Sequence, residues 1–155
     1  MLPTTRERVA INTSQEINQY IRQRTERSLM EAIAGGPDVV ERRLEELDHE
    51  WDIERMLETM APTITLVGLA LGVTKNRKWL FVPAFVQTFF LQHALQGWCP
   101  PIPVLRRLGF RTADEINEER YALKALRGDF KKLTPSRKKA ASDGRVMDAL
   151  AAVRD

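Results

Sequence analysis

The sequence predicts an all-α protein built around a two-span transmembrane helical hairpin, with amphipathic cytoplasmic helices on both flanks. Residues 79–105 contain no Lys, Arg, Asp or Glu, and an uncharged segment at residues 59–74 precedes them. Trp79 and Trp98 bracket most of the longer segment. At about 1.5 Å per helical residue they lie about 28 Å apart, which matches a bilayer core of about 30 Å with aromatic rings at both interfaces.

Composition limits the classes of function. The chain has 24 Lys and Arg against 21 Asp and Glu, spread over both flanks, so nucleic acid is not an expected partner. Cys99 is the single cysteine, which excludes an internal disulfide and cannot complete a zinc site alone. No catalytic constellation accompanies the apolar segments, so we expect no enzyme activity, no metal and no cofactor. The polar start of the chain lacks the apolar stretch of a secretory signal, so we expect insertion to use the internal segments.

Residues 1–55 are predicted to form two N-terminal cytoplasmic helices. Thr13 and Glu16 have the spacing of a capping box, which predicts a helix over residues 14–34. Its inward residues would be Ile17, Ile21, Leu29 and Ile33. The run Gly-Gly-Pro at residues 35–37 ends this helix, because proline cannot continue the hydrogen-bond ladder.

A second helix is predicted to begin at Asp38, with the apolar stripe of a helix that packs on another helix. Its stripe is Val40, Leu44, Leu47 and Trp51, and a shifted face continues with Ile53, Leu57 and Met60. The acidic residues between them are interpreted as a solvated surface. The alternative is a metal site formed by these carboxylates and His49, which is a weak pattern because it offers one histidine.

Residues 56–105 are predicted to form the hairpin, and its first span begins near residue 59. Small residues recur along this span at spacings of 4, 3 and 4, namely Ala61, Thr65, Gly68 and Gly72. Small faces let helices approach closely in lipid, where the hydrophobic effect does not drive their association. We therefore expect this stripe to be a helix-packing surface.

The second span follows a short basic connection at residues 75–78. It carries a polar stripe at spacings of 4, 4 and 3, formed by Thr88, Gln92, Gln96 and Cys99. Uncharged polar residues in lipid usually face a partner helix, so this stripe is predicted to pack against the small stripe of the first span. An alternative is a conduction pathway in an oligomer, with His93 as the proton-handling group.

The hairpin is predicted to end at the membrane interface. Three prolines at positions 100, 101 and 103 should impose extended backbone there. Trp79, Trp98 and Cys99 are placed at the interfaces, and the arginines that follow would meet lipid phosphates or the carbonyl end of the span: Arg106, Arg107 and Arg111.

Residues 106–130 are predicted to hold an interfacial segment and one helix. Thr112 and Glu115 have the spacing of a second capping box, so the helix should run to about Arg127 before Gly128. Its inward residues would be Ile116, Leu123 and Leu126. Residues 131–155 are predicted to form a basic tail with a short helix over residues 142–153.

Residues 56–112 resemble the YgaP-like transmembrane domain, a family of small bacterial inner-membrane hairpins of unknown function. The resemblance rests on Gly68 and Gly72, the basic hairpin, the run Gly-Trp-Cys-Pro-Pro at residues 97–101 and Leu-Gly at residues 108–109. It implies a hairpin with both termini in the cytoplasm. In the namesake the hairpin is fused to a cytoplasmic rhodanese. Here the flanks are helical and prolines follow Cys99, so sulfurtransferase activity is not implied.

The predicted function is that of a non-catalytic integral inner-membrane protein, an anchor or accessory subunit of a membrane assembly. Its partners would be the lipid bilayer and either a second copy or a larger complex. The alternative is a thiol or sulfur-handling accessory protein that uses Cys99 at the interface, where Arg106 and Arg107 would activate the thiol if they folded back toward it. A third interpretation buries residues 59–105 as the core of a soluble helical bundle.

The predicted topology has both termini in the cytoplasm. The hairpin loop holds three basic residues, whereas four lie near the opposite end: Arg55, Arg106, Arg107 and Arg111. Since basic residues favour the cytoplasmic side, this count supports the topology in part. The long charged flanks decide in its favour.

Overall fold

The computed structural model describes residues 3–132 together with Ala149 and Val153. In this part of the chain the protein is 80% helix without a strand, which confirms the all-α class. The α-helices are α1 (Gln15–Gly35), α2 (Pro37–His49), α3 (Ile53–Thr74), α4 (Phe81–Gln96), α5 (Ile102–Arg107) and α6 (Ala113–Arg127). Short 3-10 helices occur at Ala10–Asn12, Arg77–Leu80 and Asp129–Lys132. The predicted tail helix over residues 142–153 lies almost entirely outside the described residues.

The chain divides into two compact units. The first comprises Met1–Arg24 and Trp51–Ile116, and the second comprises Thr25–Glu50 and Asn117–Asp155. The first unit therefore contains the hairpin with the N-terminal segment, which the sequence prediction assigned to a separate flank. The second unit is formed by α2 with parts of α1 and α6.

Helices α3 and α4 form an antiparallel hairpin in the first unit. Facing residues run in opposite directions along the two helices, pairing Gly72 with Leu80, Gly68 with Pro83 and Thr65 with Gln87. A Cβ atom on Gly68 would lie 2.7 Å from Cδ of Pro83, so the close approach depends on glycine there. Ala61, Gly68 and Gly72 are buried. The small stripe of α3 thus lies on its α4-facing side.

One helical stretch in the described residues, Pro37–Thr74, is long and apolar enough to cross a membrane. The apolar part of this stretch is α3. Helix α4 has 16 residues, which at about 1.5 Å per residue is about 24 Å and short of a bilayer core of about 30 Å. It is shorter than the predicted span over residues 79–98 because the chain enters through a 3-10 helix and leaves at Gly97, where φ is +76°.

The polar stripe of α4 does not face the small stripe of α3, contrary to the prediction. Pro83 and Gln87 lie opposite α3, whereas Thr88 and Gln96 are exposed and Gln92 is half-buried. Thr88 follows Pro83 by five residues, which turns it about 140° around the helix axis. The prediction placed the stripe by its chemistry and had no information on the rotation of α4.

The proline-rich segment after α4 is helical where extended backbone was predicted. Pro101 has φ −68° and ψ −26°, and α5 begins one residue later. Pro103 lies in the first turn of α5, where a missing amide donor removes no intrahelical bond. Prolines at these positions therefore start a helix instead of preventing one.

Of the predicted helix termini, the capping box of α6 and its end at Gly128 are confirmed, and the cap of α1 at Thr13 is wrong. Thr112 and Glu115 form the reciprocal capping box at the start of α6, with bonds of 2.8 and 3.2 Å. Gly128 ends α6 with φ +95°. Asp52, which was interpreted from the sequence as part of a solvated surface, caps α3 by accepting from the amide of Arg55 at 2.7 Å. The hydroxyl of Thr13, predicted to cap α1, instead donates to the carbonyl oxygen of Val9 at 2.8 Å.

The apolar stripes of the flanking helices are also partly corrected. Val40, Leu44 and Leu47 are buried on α2, and Ile21, Ile116 and Leu123 are buried on α1 and α6. Three residues predicted to face inward are exposed, namely Ile33, Trp51 and Leu126. Trp51 lies outside the helices because α2 ends at His49, and the guanidinium of Arg55 stacks 4.6 Å from its ring.

Candidate functional site

The outward surface of the hairpin is apolar and exposed. Within the stretch that could cross a membrane, 22% of the apolar window is buried. Large apolar side chains that are more than 40% exposed follow both helices and the turn: Ile64, Leu66, Val67, Leu69, Val73, Trp79, Leu80, Phe81, Phe85, Leu91 and Leu95. A continuous apolar surface of this kind marks a membrane or protein contact. The described chain therefore leaves these side chains of the hairpin uncovered.

The hydroxyl groups on α3 are satisfied within the hairpin. Thr59, Thr63 and Thr74 each donate to the carbonyl oxygen four residues earlier, at 2.8, 2.6 and 2.7 Å. The hydroxyl of Thr65 accepts from Gln87 of α4 at 2.8 Å. In hydrocarbon a polar group has no water to bond, so such internal bonds suit a helix that faces lipid.

A buried polar cluster lies at the open end of the hairpin, where α3 begins and α4 ends. His93 is 1% exposed, and its Nε2 lies 2.9 Å from Oε2 of Glu54. Arg8 donates to Oε1 of Glu54 at 2.8 Å. Burial raises the pKa of Glu54, but the hydrogen bonds from His93 and Arg8 lower it by more, so this pKa lies below its ordinary value of 4.5. Glu54 is therefore a carboxylate at neutral pH and Nε2 of His93 is the donor.

Cys99 is buried near His93. It is 3% exposed in an apolar cluster with Val9, Ile53, Leu57, Ile102 and Leu105. Nδ1 of His93 is buried without a hydrogen-bond partner among the described residues. The thiol of Cys99, the imidazole of His93 and the carboxylate of Glu54 thus lie near one another. No group of three His, Cys, Asp or Glu side chains in the described residues is placed to hold a metal ion.

The N-terminal segment closes the open end of the hairpin. Arg8 donates to the carbonyl oxygen of Ala94 at 3.1 Å, and Asn12 donates to that of Gln96 at 2.8 Å. Gly97 packs against the backbone of Arg8 so closely that a Cβ atom would overlap it. These bonds satisfy carbonyl groups at the end of α4 that have no intrahelical partner.

The arginines predicted to lie at the membrane interface after the hairpin differ in their burial. Arg106 is 0% exposed, and its guanidinium donates to both carboxylate oxygens of Glu115 at 2.6 and 2.8 Å and to Asn18 at 2.8 Å. The prediction that Arg106 would meet lipid phosphates is therefore wrong, and it is wrong for the buried Arg111 as well. Arg107 is exposed. Burial raises the pKa of Glu115, but Arg106 and Thr112 lower it by more, so the net shift is downward.

The two tryptophans predicted to mark the interfaces also differ. Trp79 is 46% exposed in the turn of the hairpin. Trp98 is half-buried beyond the end of α4, and its ring meets that of Phe89 edge to face at a centroid distance of 6.2 Å. Trp98 therefore packs on α4 in addition to lying at its end.

The second unit has its own buried charge. Glu119 of α6 is 0% exposed and accepts from Ser28 of α1 at 2.6 Å. Arg43 of α2 donates to both of its carboxylate oxygens, at 2.8 and 3.2 Å. Burial lowers the pKa of Arg43, but Glu119 and Glu46 raise it by more, so Arg43 stays charged. This pair joins helices of one unit and is a structural contact.

Sequence reasoning missed the contact between Glu54 and His93. The two residues are 39 positions apart, so no helical spacing relates them. A signal was present, however, because Glu54 precedes the first apolar segment and His93 lies one turn before Gly97, and a hairpin brings these two places together. Comparisons with models of protein families, with curated proteins and with solved structures found no match for this chain.

Proposed function

We propose that this chain is a non-catalytic protein of the bacterial inner membrane, in which the α3/α4 hairpin crosses the bilayer twice and anchors the flanks as an accessory subunit of a membrane assembly. The observation that supports this most is the exposed apolar surface of the hairpin. A water-soluble bundle would bury α3, whereas 22% of its apolar window is buried here. Lipid is the environment that suits such a surface.

The second span needs the 3-10 helix in addition to α4. A 3-10 helix rises about 2.0 Å per residue, so its two apolar residues, Trp79 and Leu80, add about 4 Å to the about 24 Å of α4. The combined length of about 28 Å is close to a bilayer core of about 30 Å. Lys75, Arg77 and Lys78 would then lie among the headgroups at the turn of the hairpin.

An even number of spans returns the chain to the side from which it started. The N-terminal segment and α6 would therefore face one compartment, which we assign to the cytoplasm because of the long charged flanks. The flanks would present their helices to a partner there. Both the resemblance to the YgaP-like domain and the inner-membrane location belong to this proposal.

The experiment introduces one charge into the exposed surface of α3. Val67 is 54% exposed, so Val67→Asp should be tolerated in water, where exposed substitutions usually change stability by less than about 0.5 kcal/mol. In lipid the same charge opposes insertion by about 3 kcal/mol, which is about 100-fold. Gln23→Asp on the exposed surface of α1 is the matched control.

Alkaline carbonate extraction of native membranes gives the readout. The unmodified chain and Gln23→Asp should remain in the membrane pellet, whereas Val67→Asp should be released or degraded. Release of the unmodified chain, or equal retention of both variants, would contradict the proposal. Detergent purification of the retained protein with mass spectrometry then identifies the partner.

Thiol handling by Cys99 is the second candidate function, and the position of His93 is the observation that favours it. An imidazole that is held by a carboxylate and adjoins a thiol is an arrangement that activates nucleophiles. The 3% exposure of Cys99 opposes this role, because a reagent must first reach the sulfur. Cys99→Ser separates the two candidates, since a structural thiol can be replaced without loss of the assembly. Loss of function with intact assembly would favour thiol handling.

A further inference from the structure

The N-terminal segment, residues 4–13, forms part of the cover over Cys99. Val9 is 2% exposed and belongs to the same apolar cluster as Cys99. Asn12 donates to the carbonyl oxygen of Gln96, three residues before the cysteine, at 2.8 Å. The segment therefore contributes directly to the burial that leaves Cys99 3% exposed.

This part of the cover is held by few contacts. Its regular structure is one 3-10 helix at Ala10–Asn12, and Val9 is the one buried side chain of residues 4–13. The other buried members of the cluster belong to α3 and α5. The N-terminal segment can therefore move away from Cys99 without unfolding an α-helix. Segments with few buried apolar contacts are those that open most readily in a folded protein.

A buried proton acceptor lies near the covered sulfur. His93 is 1% exposed, and its Nε2 donates to Glu54 at 2.9 Å, which leaves the lone pair of the neutral ring on Nδ1. Nδ1 is buried without a hydrogen-bond partner among the described residues, and the Cys99 thiol lies near this imidazole. An imidazole nitrogen in this position can take the proton of a thiol.

The cover and the proton acceptor meet at one carboxylate. Arg8 of the N-terminal segment donates to Oε1 of Glu54 at 2.8 Å, and His93 donates to Oε2. Arg8 also donates to the carbonyl oxygen of Ala94 at 3.1 Å. When the segment opens, Glu54 loses Arg8 but keeps its bond to His93. Opening therefore exposes the thiol with its proton acceptor still held in place.

We propose that Cys99 is a modification site for a small disulfide, that the N-terminal segment controls access to it, and that the attached group keeps this segment open. The inference rests on the second candidate function, thiol handling by Cys99, and names its reagent and its control. The Cys99 sulfur gives its proton to Nδ1 of His93 and attacks one sulfur of the reagent. A new S–S bond forms as the reagent's own S–S bond breaks. The second sulfur is reduced and leaves as a thiolate that takes up the proton, while the Cys99 sulfur is oxidised to a mixed disulfide.

The attached group does not fit under the closed segment. Gly97 lies so close to the backbone of Arg8 that even a Cβ atom would overlap it. Cys99 is 3% exposed among apolar side chains, and Val9 packs in the same cluster. A polar group on the sulfur must therefore take the place of Val9, which holds the N-terminal segment away from the hairpin.

Glutathione disulfide tests the access step, with the adduct on the full chain measured by intact mass. Arg8→Gln should react about 10-fold to 100-fold faster than the unmodified chain, the range for losing one hydrogen bond to a charged group. Arg6→Gln is the matched control, because Arg6 lies in the same segment but is 79% exposed and pairs at the surface with Asp114. Its rate should equal that of the unmodified chain. Asn12→Ala removes the bond to Gln96 and should also accelerate the reaction, which keeps the test valid if Arg8→Gln fails to fold. Equal rates in all of these chains overturn the inference.

The role of His93 is tested with the segment already opened. Adding His93→Gln to Arg8→Gln should slow adduct formation about 10-fold at neutral pH, because an unassisted thiol is only about 3% thiolate there. A purely structural role predicts the opposite sign, since lost packing would expose the sulfur further and speed the reaction. An equal or faster rate in the double variant therefore overturns the proton transfer to His93.

Trypsin cleavage after Arg8 tests whether the adduct holds the segment open. The chain with the adduct should be cleaved there about 10-fold faster, and reduction with dithiothreitol should restore protection. Cys99→Ser treated with the same reagent is the control, and unchanged cleavage of the adduct contradicts the opening. If no opened variant forms an adduct, the inference fails even where Cys99→Ser loses function, an outcome that leaves thiol handling with another substrate. Full function in Cys99→Ser contradicts thiol handling itself.

Discussion

Replacing Arg43 with Met should open the second unit far more than the same replacement at Arg120. Both arginine side chains are 20% exposed, so the packing lost is similar. Arg43 pairs with Glu119, which is 0% exposed, whereas Arg120 pairs with Asp48, which is 65% exposed. A buried carboxylate without its cation costs about 3–5 kcal/mol, and an exposed pair contributes about 1 kcal/mol or less. Ser28 still donates to Glu119, so we expect about 3 kcal/mol for Arg43→Met.

Amide hydrogen exchange of peptides from α2 and α6 measures this difference, because exchange reports local opening. An increase of about 3 kcal/mol corresponds to exchange about 100-fold faster in Arg43→Met, against about 5-fold or less in Arg120→Met. Adding Glu119→Gln to Arg43→Met should recover much of the protection, since the buried negative charge is then removed. Equal acceleration in the two single variants, or no recovery in the double variant, would refute the reasoning.

Three further changes give distinct expectations. Gly68→Ala should destabilise the hairpin by about 1 kcal/mol, because overpacking against the rigid ring of Pro83 exceeds the gain in helix propensity. Gly72→Ala should be near neutral, because the new methyl group meets the flexible side chain of Leu80. Thermal unfolding in detergent compares the two variants, and a larger loss of stability in Gly72→Ala would contradict the packing. Glu115→Gln should flatten the dependence of stability on pH in acid. The pKa of the Glu115 carboxyl is lowered in the folded state, so its contribution to the free energy of unfolding is complete above the ordinary value of 4.5 and is lost as the pH falls. An unchanged acid titration by circular dichroism would disagree with this. Gly97→Ala should speed proteolysis of the N-terminal segment, and Gly36→Ala, which has a similar positive φ but open space around it, should not.

The helical class and several helix ends could be predicted because they depend on neighbouring residues. The capping box of Thr112 and Glu115 joins residues three apart, and the terminator Gly128 acts within one turn. The small stripe of α3 could be predicted for the same reason, since a spacing of 3 and 4 places residues on one face. Interactions between neighbouring residues were therefore enough to predict the helices and the face of α3 that packs on α4.

The polar cluster and the rotation of α4 depend on distant residues. Arg8 meets Ala94 across 86 positions, and no spacing in the sequence relates them. Nor did the sequence indicate that Pro83, and not Thr88, would lie over Gly68, because both faces of α4 are apolar enough to pack. Arg106 illustrates the same point: an arginine after an apolar segment suggests a lipid contact, yet Glu115 and Asn18 surround it in the fold.

The contact of the N-terminal segment with the end of α4 has a consequence for biosynthesis. Asn12 leaves the ribosome 84 residues before its acceptor, the carbonyl of Gln96, has been made. Until then the N-terminal segment cannot make this contact, and the open end of the nascent hairpin is uncovered. A bulky affinity tag placed ahead of Arg8 would lie beside the contact between the N-terminal segment and the end of α4, so a purification tag belongs at the other terminus.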